Sequence, residues 1–339
     1  MKPLTERTIS FVGEEKYRDF LKPINFHNRL VRYFSRICFS KLFFDKNQTI
    51  ENSLMILGTG RSGTTWLSEL LADYLHYRII AEPFHPGRIL PHIYKKYITD
   101  RVYLPPDFYN EDFTQIMGRL LSGKLTGPRM NRVNFIVNPK GRLVKFTNAA
   151  PFIEWLHVKY PSVRIVLVLR HPLAVAGSRA NLKGNPVRKI DRYLSDPVLV
   201  SKFLSDKLGV INNAQTRLQK QAVLWAIENY MILNTLKTDD VFITSYEYLV
   251  TDLGAEMKKL MEYIQPEVKF NPMKITNITS ASSKITTNSA NIEHKLSKWQ
   301  NRLSDKEIDD VLEILEAFGL NHIYDSNYMI KLDPREILS

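Results

Sequence analysis

Ser53-Leu-Met-Ile-Leu-Gly-Thr-Gly-Arg-Ser-Gly-Thr-Thr-Trp-Leu67 is the stretch from which the fold can be read. A short apolar run meets three glycines at 58, 60 and 63, and an amphipathic pattern starts at Thr64. Such a run suits a buried parallel strand, and the pattern after it suits a helix. Glycines let the backbone come close to a ligand, and the orphan N–H groups of the helix's first turn then point at it. Arg61 adds a fixed positive charge, and Ser62, Thr64 and Thr65 add hydroxyls. The loop from Gly58 to Trp66 is therefore expected to hold phosphate oxygens.

Working outward, further apolar runs occur at Arg78 to Ala81, Leu143 to Phe146, Ile165 to Leu169 and Val241 to Thr244. Helical patterns lie between them at Thr64 to Leu75, Phe152 to Lys159, Leu173 to Asn181 and Ala214 to Leu236. This alternation predicts an α/β fold, a mostly parallel central sheet with helices on both faces. Repeats and flexible linkers are absent, so the 339 residues read as an N-terminal helical extension, 1–50, and a single domain, 51–339, with insertions near 83–140 and 184–210. Three stretches escape the alternation: Pro83 to Asn110, Lys183 to Lys207 and Asn271 to Lys298. The first and third are expected to touch substrate or cofactor, and the second is left open between function and plain surface.

Three readings compete for the first loop. A Walker A loop needs lysine after its last glycine, and Thr64 stands there. Gly58, Gly60 and Gly63 satisfy dinucleotide GxGxxG spacing, with Glu82 imitating the ribose-binding acid, so an NAD(P)-dependent oxidoreductase is an alternative. Third, Gly58-Thr-Gly-Arg-Ser-Gly-Thr-Thr-Trp-Leu67 resembles the 5′-phosphosulfate loop of the sulfotransferase family. The run Ile165-Val-Leu-Val-Leu-Arg-His-Pro-Leu-Ala-Val-Ala-Gly-Ser-Arg179 resembles that family's second cassette, with Arg170 and Ser178 at the positions that hold the cofactor's 3′-phosphate. His171 departs from the Asp or Asn the family more often places there.

The resemblance implies a three-layer, P-loop NTPase-like sulfotransferase fold. It implies 3′-phosphoadenosine 5′-phosphosulfate (PAPS) as donor, adenosine 3′,5′-bisphosphate (PAP) as product, and no metal. It makes Gly60 to Trp66, Arg170, Ser178, Tyr246, Ser283 and Lys284 cofactor contacts, although Tyr246 also reads as a core tyrosine. Thr286, Lys298 and Trp299 fall in or beside the family's last nucleotide-covering loop, here without its Arg-Lys-Gly form. Lys145 resembles the lysine that shares the leaving phosphate with Arg61, and Thr147 stands where cytosolic animal members carry a histidine base. Threonine is no base at neutral pH without help, so Glu82, which matches the glutamate-base branch, is assigned that role with His85 in reserve. A non-catalytic nucleotide- or polyanion-binding protein of the same fold is the other alternative.

The expected acceptor is a carbohydrate or glycolipid hydroxyl, ahead of a peptide tyrosine or small phenol. The rings of His85, His92, Tyr94, Tyr97, Tyr103 and Tyr109 are placed either to stack on it or to pack their own loop. The net charge of +12 suits anionic ligands, and its dispersal argues against nucleic acid. A lone Cys38 excludes an internal disulfide, and eight scattered histidines show no metal-ligand spacing. Residues 30–44 mix Phe34, Phe39, Phe43 and Phe44 with Arg32, Arg36 and Lys41. They read as a helix packed on the domain, or as one lying peripherally on a membrane's inner surface. No secretory signal is evident, so a cytoplasmic setting is expected.

Overall fold

The computed structural model describes residues 45, 47–83, 103–125, 136, 138–182, 184–273 and 289–338. The apolar runs become parallel strands β1 (Ser53–Leu57), β2 (Tyr77–Ala81), β3 (Gly141–Phe146), β4 (Arg164–Leu169) and β5 (Val241–Ser245), in the order β2-β3-β1-β4-β5. Between and after them run α1 (Thr64–Leu75), α2 (Glu111–Leu121), α3 (Ile153–Lys159), α4 (Pro172–Ala180), α5 (Pro186–Leu194), α6 (Arg217–Leu233), α7 (Tyr246–Thr251), α8 (Leu253–Ile264), α9 (Ser289–Ser297) and α10 (Asp305–Ala317).

The strands are apolar at nearly every position because helices cover both faces, and the two-residue side-chain period splits each strand between two cores. Leu54 and Ile56 of β1, with Val166 and Val168 of β4, pack against Leu67, Leu70 and Leu71 of α1 and Met257, Leu260 and Met261 of α8. Met55 and Leu57, with Ile165, Leu167 and Leu169, face the other way, toward Phe113, Trp155, Val175, Trp225 and Val311. Trp225 of α6 is fully buried, and its indole N–H donates to the Arg170 carbonyl at 3.1 Å. A buried indole needs such an acceptor, and truncating one costs about 3–5 kcal/mol.

At the opposite end of the sheet from the strands' C-termini, Asp45 is buried and its Oδ2 meets Arg78 at 2.9 Å and Arg142 at 2.7 Å. Burial pulls the Arg142 guanidinium below its ordinary value, while the bond to Asp45 works the other way. Asp45 thus anchors on the sheet although it falls in the 1–50 stretch read as an extension.

The mixed-charge stretch from Lys183 is helical rather than open loop. Asn185 caps α5 by accepting from Val187 N, and Pro186 fills a first-turn position where no N–H is needed. Tyr103 packs down instead of facing an acceptor: it is buried, and its hydroxyl bonds Glu154 and Lys202. Tyr109 is 72% exposed. Among the described residues no helix is long and apolar enough to cross a membrane. Segment 30–44 lies outside them.

Candidate active site

The site residues within the described structure gather at the C-terminal edge of the sheet, the end at which open parallel α/β sheets bind ligands. β1 runs into the glycine turn, and Gly63 caps α1 in the left-handed region at φ 92°. A Cβ there would lie 2.6 Å from the Tyr246 ring, so glycine is demanded twice, by the dihedral and by space. Having no side chain, Gly63 leaves the first-turn N–H groups of α1 to a ligand. Arg61 is left-handed too, φ 78°, and its side chain is exposed. Ser62 is buried, its hydroxyl bonded to Thr59 Oγ1 at 2.7 Å, so that side chain is committed to the loop itself. Thr64 is also buried, whereas Thr65 is exposed.

The second cassette closes on the first. Arg170, just past β4, donates to the Arg61 carbonyl at 3.0 Å, and its guanidinium lies 4.0 Å over the Tyr246 ring. Arg61 Nε donates to Ser178 Oγ on α4 at 3.0 Å. Trp66 meets Tyr246 edge-on at 6.1 Å, and Lys295 of α9 stands 5.7 Å from the same ring. Positive charge and an aromatic shelf thus share one crevice, an arrangement fit for a phosphate beside a flat heterocycle.

A third group sits beside the first loop. Lys145 Nζ donates to Thr65 Oγ1 at 3.0 Å and pairs with Glu82 Oε1 at 3.4 Å. The other carboxylate oxygen, Oε2, accepts from Thr147 N at 3.1 Å, and Glu82 N donates to Lys145 O at 2.9 Å. Glu82 is left-handed at φ 50°, a conformation uncommon for non-glycine residues and associated with functional sites. A cation that touches both a loop hydroxyl and a carboxylate can share charge on a leaving phosphate while the carboxylate takes a proton.

His171 is no free base. Its Nδ1 accepts from Leu173 N at 3.3 Å, doing the capping work of an Asp or Asn, and its Nε2 lies 3.0 Å from the Asp325 carbonyl. The ring stacks on Trp299 at 4.6 Å, and burial pulls its pKa down to about 4, so it is neutral. Glu247, whose own pKa burial raises, accepts from His171 N at 3.0 Å and from the Tyr324 hydroxyl at 3.1 Å. Two further residues went unread in the sequence. Arg179, beside Ser178, is buried against Glu228 of α6. The available signal was a lone glutamate in the apolar stretch Ala222 to Ile232. His85, Ser283, Lys284 and Thr286 lie outside the described residues.

The strand order decides against the dinucleotide reading. In that fold the second strand lies beside the first. Here β3 separates them, and Glu82 is held by Lys145 and Thr147. Residues 53–269 match the family described as the sulfotransferase family, and the chain belongs to it. It is an enzyme of sulfuryl transfer with a P-loop-like fold. Similar solved structures include a mouse sulfotransferase complexed with PAP, at 14% identity and TM-score 0.43, over 84% of this chain and 92% of that one. The sulfotransferase domain of the Synechococcus PCC 7002 olefin synthase shares 16% identity at TM-score 0.42, over 80% of this chain and 95% of that one. The sulfotransferase domain of the curacin biosynthetic pathway shares 15% at TM-score 0.39, over 78% and 96%. No curated protein matches the sequence.

Proposed function

We propose that this sulfotransferase moves the sulfuryl group of PAPS to a hydroxyl of a carbohydrate or glycolipid, with Glu82 as general base. One observation carries the reading: Lys145 joins the first loop, at Thr65, to the carboxylate of Glu82. The phosphosulfate lies on the loop and the first-turn amides of α1, and the 3′-phosphate lies by Arg170 and Ser178. Tyr246 and Trp66 flank the nucleotide. The acceptor oxygen approaches the sulfur opposite the bridging oxygen and passes its proton to Glu82. The S–O bond to the bridging oxygen breaks, and Lys145, Arg61 and Thr65 take up the charge left on the 5′-phosphate.

Support for a sugar acceptor comes from the glutamate in place of the histidine base, and from a net charge of +12 that suits anionic glycans. A cytoplasmic setting with residues 30–44 against the inner membrane surface belongs to the same proposal. The test offers isotopically labelled PAPS and purified enzyme to extracts of the native host, with Arg170→Ala as control. A labelled glycan or glycolipid is the expected product. Label confined to peptide tyrosine or a small phenol overturns the acceptor assignment, and PAP binding without transfer to any acceptor points to a non-catalytic protein.

A further inference from the structure

Arg179 is 8% exposed and sits against the first loop, where its Nε donates to the Gly60 carbonyl at 2.9 Å and its Nη2 to Glu228 Oε2 at 3.0 Å. A peptide carbonyl turned toward the anion would repel it. In a trans peptide the next N–H points opposite to the carbonyl, and no cis peptide occurs among the described residues. Fixing Gly60 O on Arg179 therefore turns the Arg61 N–H away from Arg179. The next carbonyl, that of Arg61, is fixed by Arg170 at 3.0 Å, and Arg61 holds its left-handed φ of 78° between these two bonds. Two guanidiniums from the turn and helix after β4 thus hold two successive carbonyls of the loop after β1.

Glu228, 4% exposed, holds one of those guanidiniums in turn. It also lines the small crevice formed by Gly58, Thr59, Thr147 and Ala150, on the acceptor side of Glu82's partner Thr147. Desolvating a buried ion pair offsets most of its attraction, so the pair is a poor source of stability. We propose that Arg179 and Glu228 act as a positioning pair that orients the loop's peptides toward the 5′ end of the donor. The inference rests on the PAPS reading.

Calorimetry with PAP and with adenosine 3′-monophosphate tests it, because the two ligands differ only in the 5′-phosphate that occupies this loop. Wild type is expected to prefer PAP strongly. Arg179→Met is expected to shrink that preference at least tenfold, with affinity for the monophosphate within about twofold of wild type. Arg179→Met leaves a buried carboxylate unpaired, so Arg179→Met/Glu228→Gln, which removes both charges together, is measured beside it and shows the same loss. Glu228→Gln alone keeps the donor to Gly60 and most of the preference. Equal weakening of both ligands in the folded double variant, or an undiminished preference, overturns the positioning role. Wild type that binds neither nucleotide overturns the donor assignment instead.

Discussion

Replacing Glu82 by glutamine keeps the side chain's shape and removes its charge. In the folded protein the carboxylate pairs with Lys145 at 3.4 Å and accepts from Thr147 N at 3.1 Å. The glutamine carbonyl oxygen still accepts from Thr147, and glutamine suits φ 50° no worse than glutamate does. Thermal stability should therefore change little. Proton acceptance is lost, and a positioned general base contributes about 10²–10⁴ in rate. The same substitution frees Lys145 of its counter-charge. At 3.4 Å the attraction lost lies between about 1 kcal/mol at the dielectric of water and about 5 kcal/mol at an effective dielectric near 20, and these side chains are 11–12% exposed. Lys145 then has more charge to offer an anion, so PAP should bind as tightly as in wild type or up to about tenfold tighter.

The signature is thus a split. Turnover with labelled donor falls by about two to four orders of magnitude, while calorimetric PAP affinity holds or rises. Glu82→Asp keeps the charge, tolerates the left-handed backbone and withdraws the carboxylate by one methylene, so its rate should fall between the two. A Glu82→Gln enzyme within threefold of wild-type turnover refutes the assignment. A rate loss matched by an equal loss of PAP affinity refutes the separation of base from binding site on which it rests.

Gly63→Ala places a Cβ 2.6 Å from the Tyr246 ring at φ 92°, and urea melts should show a loss of about 1–3 kcal/mol together with weaker PAP binding. Gly60→Ala meets Arg179 only at 3.6 Å and should melt like wild type, and equal melts for the two variants would contradict the loop geometry. Arg170→Ala removes a charge-assisted contact worth about 1.5–3 kcal/mol, so titrations should show the preference for nucleotides bearing a 3′-phosphate falling about 10–100-fold. His171 is depressed to about 4 in the folded protein, against 6.5 when unfolded. The unfolded chain therefore takes its proton first: the contribution is complete above pH 6.5, is lost as pH falls toward 4, and is flat below. At about 1.4 kcal/mol per unit the loss nears 3 kcal/mol, and denaturation of His171→Asn across that window should lack it. A variant that keeps the full slope would assign it to other groups, of which Asp325 and Arg170 are the nearest.

The five strands were legible in the sequence to within two residues at each end, because strands buried on both faces must be nearly continuous apolar runs. Arg61, Thr65, Arg170 and Ser178 were legible for a different reason, since their spacing follows the local strand–turn–helix geometry. The departures share a cause as well. Lys183 to Lys207 looked polar because α5 buries little beyond Pro186, Ile190 and Tyr193. Ser62 looked like a ligand group because composition cannot show a hydroxyl spent on Thr59. Arg179 and Glu228 lie 49 residues apart, and nothing local announces a pair that only the packing of α4 on α6 brings together.

Lys145 shows why strand order, and not the motif alone, makes the site. Its register partners are Ile56 on β1 and Ala81 on β2, so it stands between the strand that feeds the phosphate loop and the strand that ends in Glu82. From there its ammonium reaches Thr65 on one side and the carboxylate on the other. Were β2 beside β1, as in a dinucleotide fold, the glutamate would flank the loop directly and no cation would separate it from the bound anion. An uncompensated carboxylate there would repel the phosphosulfate. With β3 interposed, the base lies one strand away from the anion, with a positive charge in between, close enough to take the acceptor's proton. The order β2-β3-β1 is therefore part of the chemistry, and the three glycines shared by both readings could not distinguish them without it.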